Sequence, residues 1–218
     1  MDPVLQMPAR IVPAPSALTQ NDFPKSPEEQ FLLARKYSTG EGVEKNAATA
    51  FALMQSAASQ KHPEAISGLG YYYLNGVGVE MDEEKALECF RRGAELGHSR
   101  SQLNLGMTLL NRKFDPESIS EGLAWVEKAA QSGLDFALMA AGRIHFSGLF
   151  NSPVDLPKAF QYYSKAAMQD NPDAQALVGW MHEQGAGTPK NPDQSAEWYR
   201  KAAEQKSRLT TIESASRR

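Results

Sequence analysis

With a single cysteine, Cys89, in 218 residues, the chain can form no intramolecular disulfide and has no thiolate cluster for a structural zinc. A fold held by packing alone, in a reducing compartment, is the expectation. No stretch approaches the ~20 apolar residues of a membrane-spanning helix, so no membrane insertion is expected. The opening residues MDPVLQMPARIVPAPSALTQNDFP lack the charged-then-apolar order of a secretory signal. The predicted location is therefore the cytoplasm, and the periplasm or exterior only if the true start lies upstream. Neither charge dominates: 23 Lys and Arg stand against 26 Asp and Glu, a formal net charge of −3. Such a balance gives no electrostatic reason to expect nucleic acid as a partner. Gly-x-Ser-x-Gly, HExxH and a Ser-His-Asp arrangement are missing too, which leaves no catalytic residue to nominate.

What is present is a repeat. Leu69-Gly70-x-x-Tyr73-x-x-Gly76 returns in variant form at Leu33, Leu105, Ala141 and Val178, with its last positions separated by 36, 36, 36 and 37 residues. A second series, Ala58, Ala94, Ala130, Ala167 and Ala203, runs at 36, 36, 37 and 36. A fixed period in this range decides the architecture before any local feature does.

Apolar residues recur within each copy at helical spacing in two segments. Asn46, Asp82, Ser118, Asp155 and Asn191 stand where each second helix should begin, and each has a side-chain oxygen able to accept from the first-turn N–H groups. Ser26-Pro27-Glu28-Glu29 and Asn171-Pro172 mark starts of first helices. Helices are predicted over 27–38 with 46–60, 63–74 with 82–96, 99–111 with 118–132, 135–146 with 155–169, and 172–183 with 192–206. No strand is expected. Residues 1–25, rich in proline, read as a disordered leader, 26–206 as the repeat domain, and 207–218 as a polar tail or partial cap.

Residues Asn191 to Glu204, NPDQSAEWYRKAAE, and Leu69 to Val79, LGYYYLNGVGV, resemble the Sel-one-like repeat, a relative of the tetratricopeptide repeat; the resemblance covers residues 27–206. It implies an all-α solenoid whose helix pairs stack into a right-handed superhelix, with first helices lining the concave side. The family resemblance implies adaptors and scaffolds. A cysteine-rich subgroup linked to cell-wall or β-lactam binding needs a disulfide in each repeat, which Cys89 alone cannot supply. The third copy departs from the pattern, with Asn111-Arg112-Lys113-Phe114-Asp115-Pro116 in place of Gly-x-Gly, so its turn must be built differently.

Features that suggest chemistry have plainer readings. Gly76-Val77-Gly78-Val79 looks like a phosphate loop, but Met81 occupies the third glycine position and a helix precedes it. The same Gly-x-Gly at Gly40 and Gly42 and at Gly185 and Gly187 shows that it turns the chain between two helices. His62 with His98, and His145 with His182, sit at equivalent repeat positions, which points to structural or capping roles rather than a metal site. Cys89 shares a repeat position with Leu53, Trp125, Tyr162 and Trp198, which makes it a core residue.

In a tetratricopeptide-like stack the groove positions are those two before, two after and five after the Leu of Leu-Gly. Here they are Phe31, Arg35 and Ser38; Ser67, Tyr71 and Leu74; Leu103, Met107 and Leu110; Met139, Arg143 and Phe146; and Ala176, Trp180 and Glu183. All but Ser38, Ser67, Ala176 and Glu183 are the candidate partner-binding residues. A mostly apolar face with Arg35 and Arg143 at its edges suits a segment of another protein. No cofactor is implied. Two other readings stay open: recognition or hydrolysis of a glycan or cell-wall fragment using Tyr71, Trp180 and Arg143, and self-association into a homo-oligomer through the C-terminal end.

Overall fold

A computed structural model describes residues 22–112 and 115–216, with side chains described as far as residue 208. Among the described residues there are ten α-helices and no strand. They run α1 Pro27–Thr39, α2 Ala47–Ser59, α3 Pro63–Asn75, α4 Glu83–Glu95, α5 Ser99–Asn111, α6 Pro116–Gln131, α7 Asp135–Ser147, α8 Leu156–Ala167, α9 Pro172–Gln184 and α10 Pro192–Ser216. The pairs α1–α2 to α9–α10 are the five sequence repeats. The leader expected over residues 1–25 falls almost entirely outside the described residues.

Second helices start where a side chain can satisfy their free N–H groups. The side chains of Asn46, Asp82, Asp155 and Asn191 accept from the backbone N–H of Thr49, Lys85, Lys158 and Gln194, each at 3.0 Å. Their own backbone N–H groups tie each pair together. Asn46, Asp82, Asp155 and Asn191 donate to the carbonyls of Tyr37, Tyr73, His145 and His182, the Tyr positions of the first helices, at 2.8–2.9 Å. Between these two anchors the chain turns on glycine: Gly40, Gly76, Gly148 and Gly185 close their helices in the left-handed conformation.

The third pair breaks this scheme, and the start predicted at Ser118 is corrected. The α6 cap is Asp115, which accepts from the N–H groups of Glu117 and Ser118, and Pro116 takes the first helical position. Ser118 is buried inside the first turn and donates its hydroxyl to Asp115. The α5 end closes through Arg112 N–H on the Leu109 carbonyl, without a left-handed cap. At the other end, α10 continues to Ser216, past the helix end predicted at 206; Leu209 and Ile212, the apolar residues available for the expected partial cap, lie beyond the described side chains.

The chain divides into two compact units, one up to Cys89 and one from Phe90 onward. The core of the first gathers Leu53, Met54, Ala57, Ile66, Leu69, Tyr72 and Cys89. Cys89 is thus a core residue, as its repeat position predicts. The core of the second gathers Val126, Ala129, Leu138, Ile144, Tyr163, Ala166, Val178 and Met181. A fully buried side chain of this size contributes about 1.5–3 kcal/mol, and neither helix of a pair could cover it alone.

Stacking brings the turns that open successive first helices together. In the second unit, Gln169 donates to the carbonyl of Gly133 at 2.9 Å, and Asn171, the α9 cap, donates to the carboxylate of Asp135, the first residue of α7, at 2.8 and 3.0 Å. The alanine series follows the same logic. Ala58, Ala94, Ala130 and Ala167 are buried where a following pair covers them, while Ala203 in the last pair is exposed.

Candidate functional site

First-helix residues spaced at i, i+3, i+7 and i+10 share one face. In the second unit this gives three stripes: Arg100, Leu103 and Met107 on α5; Phe136, Met139, Arg143 and Phe146 on α7; and Ala176, Trp180 and Glu183 on α9. Ring contacts join the stripes sideways. The Arg100 guanidinium lies 5.9 Å from the centre of the Phe136 ring, and Phe146 meets Trp180 edge-on with centroids 5.7 Å apart. Tyr163 of α8 lies beneath Phe146 at 6.4 Å. Its burial pushes the phenol up to about 12 against the opposing charge of Arg143.

Phe136 is 65% exposed and Trp180 38%, while Leu103, Met107, Met139 and Phe146 are half-buried and also pack on the core. Arg143 is exposed. Leu110 does not join this face, because only 2% of it is exposed. A β-carbon added to Gly122 would meet the Leu110 side chain at 2.9 Å, so Leu110 fills the hollow left by that glycine. Leu110 is accordingly corrected from face to core. Sequence counting also missed Arg100 and Phe136, one turn before the first groove position; extending the i, i+3, i+7 series toward the N-terminus finds both.

In the first unit the face holds Phe31 and Arg35 on α1 with Tyr71 and Leu74 on α3. Phe31 stacks on His62 at 5.3 Å, and the Arg35 guanidinium lies 6.0 Å from the Phe31 centroid. Tyr71 is 53% exposed, Leu74 is half-buried, and Ser67 is buried.

The histidines have structural partners. His62 and His98 cap α3 and α5, each accepting from a backbone N–H through Nδ1 at 3.3 Å. His145 stacks on Tyr162 and reaches Glu127 with Nε2 at 2.9 Å, and His182 meets Phe160 edge-on. Lys158 Nζ shares the same Glu127 oxygen at 2.5 Å. Desolvation raises the Glu127 carboxyl, but hydrogen bonds from Lys158 and His145, with their charges, outweigh it and hold the group below its ordinary value. A cavity beside Glu127 and His145 has a volume of about 50 Å³, and another between α9 and α10 about 180 Å³. Both are below the ~300–1,000 Å³ of pockets that enclose a small ligand. Among the described residues no helix is long and apolar enough to cross a membrane.

The Sel1 repeat model matches residues 30–62, 63–98, 99–134, 136–171 and 172–207. Chitin synthase regulatory factor 4 of Schizosaccharomyces pombe is 33% identical over 128 residues, 58% of this chain and 20% of that protein. Chitin synthase regulatory factor 3 of the same yeast is 26% identical over 202 residues, 86% of this chain and 22% of that protein. The chain thus spans about a fifth of the length of these curated relatives. Among solved structures, a Sel1 repeat protein from Oxalobacter formigenes superposes with a TM-score of 0.73 at 27% identity, covering 82% of this chain and 73% of that one. A protective antigen of uropathogenic Escherichia coli with an SLR fold gives 0.72 at 26% identity, covering 82% and 38%.

Proposed function

The chain belongs to the Sel1 repeat family, and on that premise we propose that it is a non-enzymatic adaptor or scaffold whose first-helix faces hold a segment of a partner protein. The observation that carries this reading is that large side chains are left uncovered on those faces: Tyr71 in the first unit, and Phe136 and Trp180 in the second. Partly exposed aromatic rings that rest on a neighbouring ring, as Tyr71 and Trp180 do, or under a guanidinium, as Phe136 does, anchor protein partners at little entropic cost. The regulatory names of the yeast relatives agree with such a role, although this chain matches only a fraction of each. Enclosure of a glycan draws less support, because the two described cavities of the second unit hold only about 50 and 180 Å³.

The test is affinity capture by the full chain followed by mass spectrometry. Trp180→Ala and Phe136→Ala suit it better than changes at Leu103 or Met107, which also pack on the core. The expected result is loss of the captured proteins with the thermal melt nearly unchanged. Capture of the same proteins by the wild type and both variants would overturn the proposal.

A further inference from the structure

Several cations on the second helices are matched with carboxylates. Lys85 pairs with Asp82, Arg91 with Glu121, Lys158 with Glu127 and Lys201 with Glu197, at 2.5–2.9 Å. Lys128 and Lys165 lie instead over Trp125 and Tyr162. On the first-helix face of the second unit, Glu183 accepts from the Tyr199 hydroxyl. Arg100 and Arg143 are exposed, and among the described residues neither is joined to a carboxylate; Arg100 lies over Phe136, and Arg143 stands between Met139 and Phe146 on the same stripe. The first unit repeats the juxtaposition independently, with Arg35 over Phe31.

We propose that the face formed by Arg100, Phe136, Arg143, Phe146 and Trp180 selects an acidic peptide segment, one with Asp or Glu side chains set among Leu, Phe or Trp. This rests on the adaptor reading and adds the chemistry of the partner. An apolar segment lying across the face would strip water from the guanidinium N–H donors and return nothing, whereas a carboxylate replaces that water with paired, charge-assisted hydrogen bonds. A basic segment would be repelled. Two arginines on separate helices ask for more than one carboxylate, so the acids are side chains and not a single chain terminus. The neighbouring rings supply apolar contact that water-exposed charge pairs alone would lack.

The experiment pans the immobilised full chain against a random dodecapeptide library fused through its C-termini, so that no terminal carboxylate is free. The expected outcome is enrichment of Asp and Glu beside Leu, Phe or Trp. A synthetic, terminally blocked copy of a selected peptide should bind about tenfold more weakly to Arg143→Glu, and more weakly at high ionic strength. Its counterpart with Lys for Asp should bind Arg143→Glu better than wild type. Thermal melts confirm that these exposed substitutions leave the fold intact.

Neutral or basic peptides that nonetheless depend on Trp180 would overturn the acidic preference while leaving the adaptor reading standing. The same holds if only a free C-terminus is bound. Peptides indifferent to Trp180→Ala, Phe136→Ala and Arg143→Glu, or no enriched peptide at all, would overturn both.

Discussion

Alanine at Gly42 and alanine at Gly78 make the same change at the second glycine of the same kind of turn, in the same compact unit, yet they should differ in cost. Both glycines are left-handed, with φ of +71°, and an L-residue there costs about 1–2 kcal/mol. A β-carbon on Gly42 meets nothing within 4 Å. On Gly78 it would lie 2.0 Å from the Ala47 carbonyl oxygen and 2.4 Å from its carbon, at the start of the preceding repeat's second helix. Relief requires the turn to retreat by about 1.3 Å, to a carbon–oxygen contact of roughly 3.3 Å. That movement strains the bonds that close it, Val77 N–H to the Tyr72 carbonyl and Asp82 N–H to the Tyr73 carbonyl, both 2.9 Å.

Overpacking of this kind adds about 1–3 kcal/mol. Gly42→Ala should therefore cost about 1–2 kcal/mol and Gly78→Ala about 2–5 kcal/mol. Gly76→Ala should behave like Gly42→Ala, because its β-carbon would make only ordinary contacts of 3.5 Å and beyond. Urea unfolding followed by far-ultraviolet circular dichroism measures the costs, and amide exchange over Ala47–Ser59 locates the damage. Equal losses for Gly42→Ala and Gly78→Ala would refute the steric argument and leave backbone conformation as the whole effect. Gly187→Ala repeats the test in the second unit, where the added carbon would lie 2.1 Å from the Leu156 carbonyl.

Lys61 and Asp170 hold φ of +63° and +61° at the repeat position where Gly97 and Gly133 stand. Lys61→Gly and Asp170→Gly should each stabilise by roughly 0.5 kcal/mol after the larger entropy of the unfolded chain is counted; an unchanged or lower urea midpoint would contradict this. Glu127 has a lowered folded-state pKa, so it contributes stability that is present above its unfolded value near 4.5 and lost as pH falls through the lower folded value. The stability gap between wild type and Glu127→Gln should accordingly narrow below about pH 4.5. A gap that stays constant into acid would mean the ion pair does not carry the difference.

Much of the architecture was legible because period, cap and turn agree with one another. Asn46, Asp82, Asp155 and Asn191 were recognisable as caps from side-chain chemistry and spacing together. The third repeat misled for a physical reason: aligning it to its neighbours put the cap at Ser118, but Asp115-Pro116 carries the stronger start signal and began the helix earlier. Leu110 was placed on the wrong side because its burial depends on Gly122, on another helix, and no periodicity within α5 reports the hollow there. Arg100 and Phe136 were present in the pattern but lay outside the positions counted. Which cations lack a carboxylate is a property of neighbouring helices, so the contrast between Arg143 and Arg91 could be seen only in three dimensions.

The bonds from Asn171 to Asp135 and from Gln169 to Gly133 join each residue to the position just after its counterpart in the preceding repeat. A substitution at such a position is read against the adjoining position of the neighbouring copy, so the compensating change for a damaged copy belongs one residue along in the adjacent copy. Resemblance between copies is therefore kept by contact as well as by common origin. A stretch of chain exchanged between repeats in register would carry its partners' requirements with it, while one exchanged out of register would meet the wrong surface on both sides.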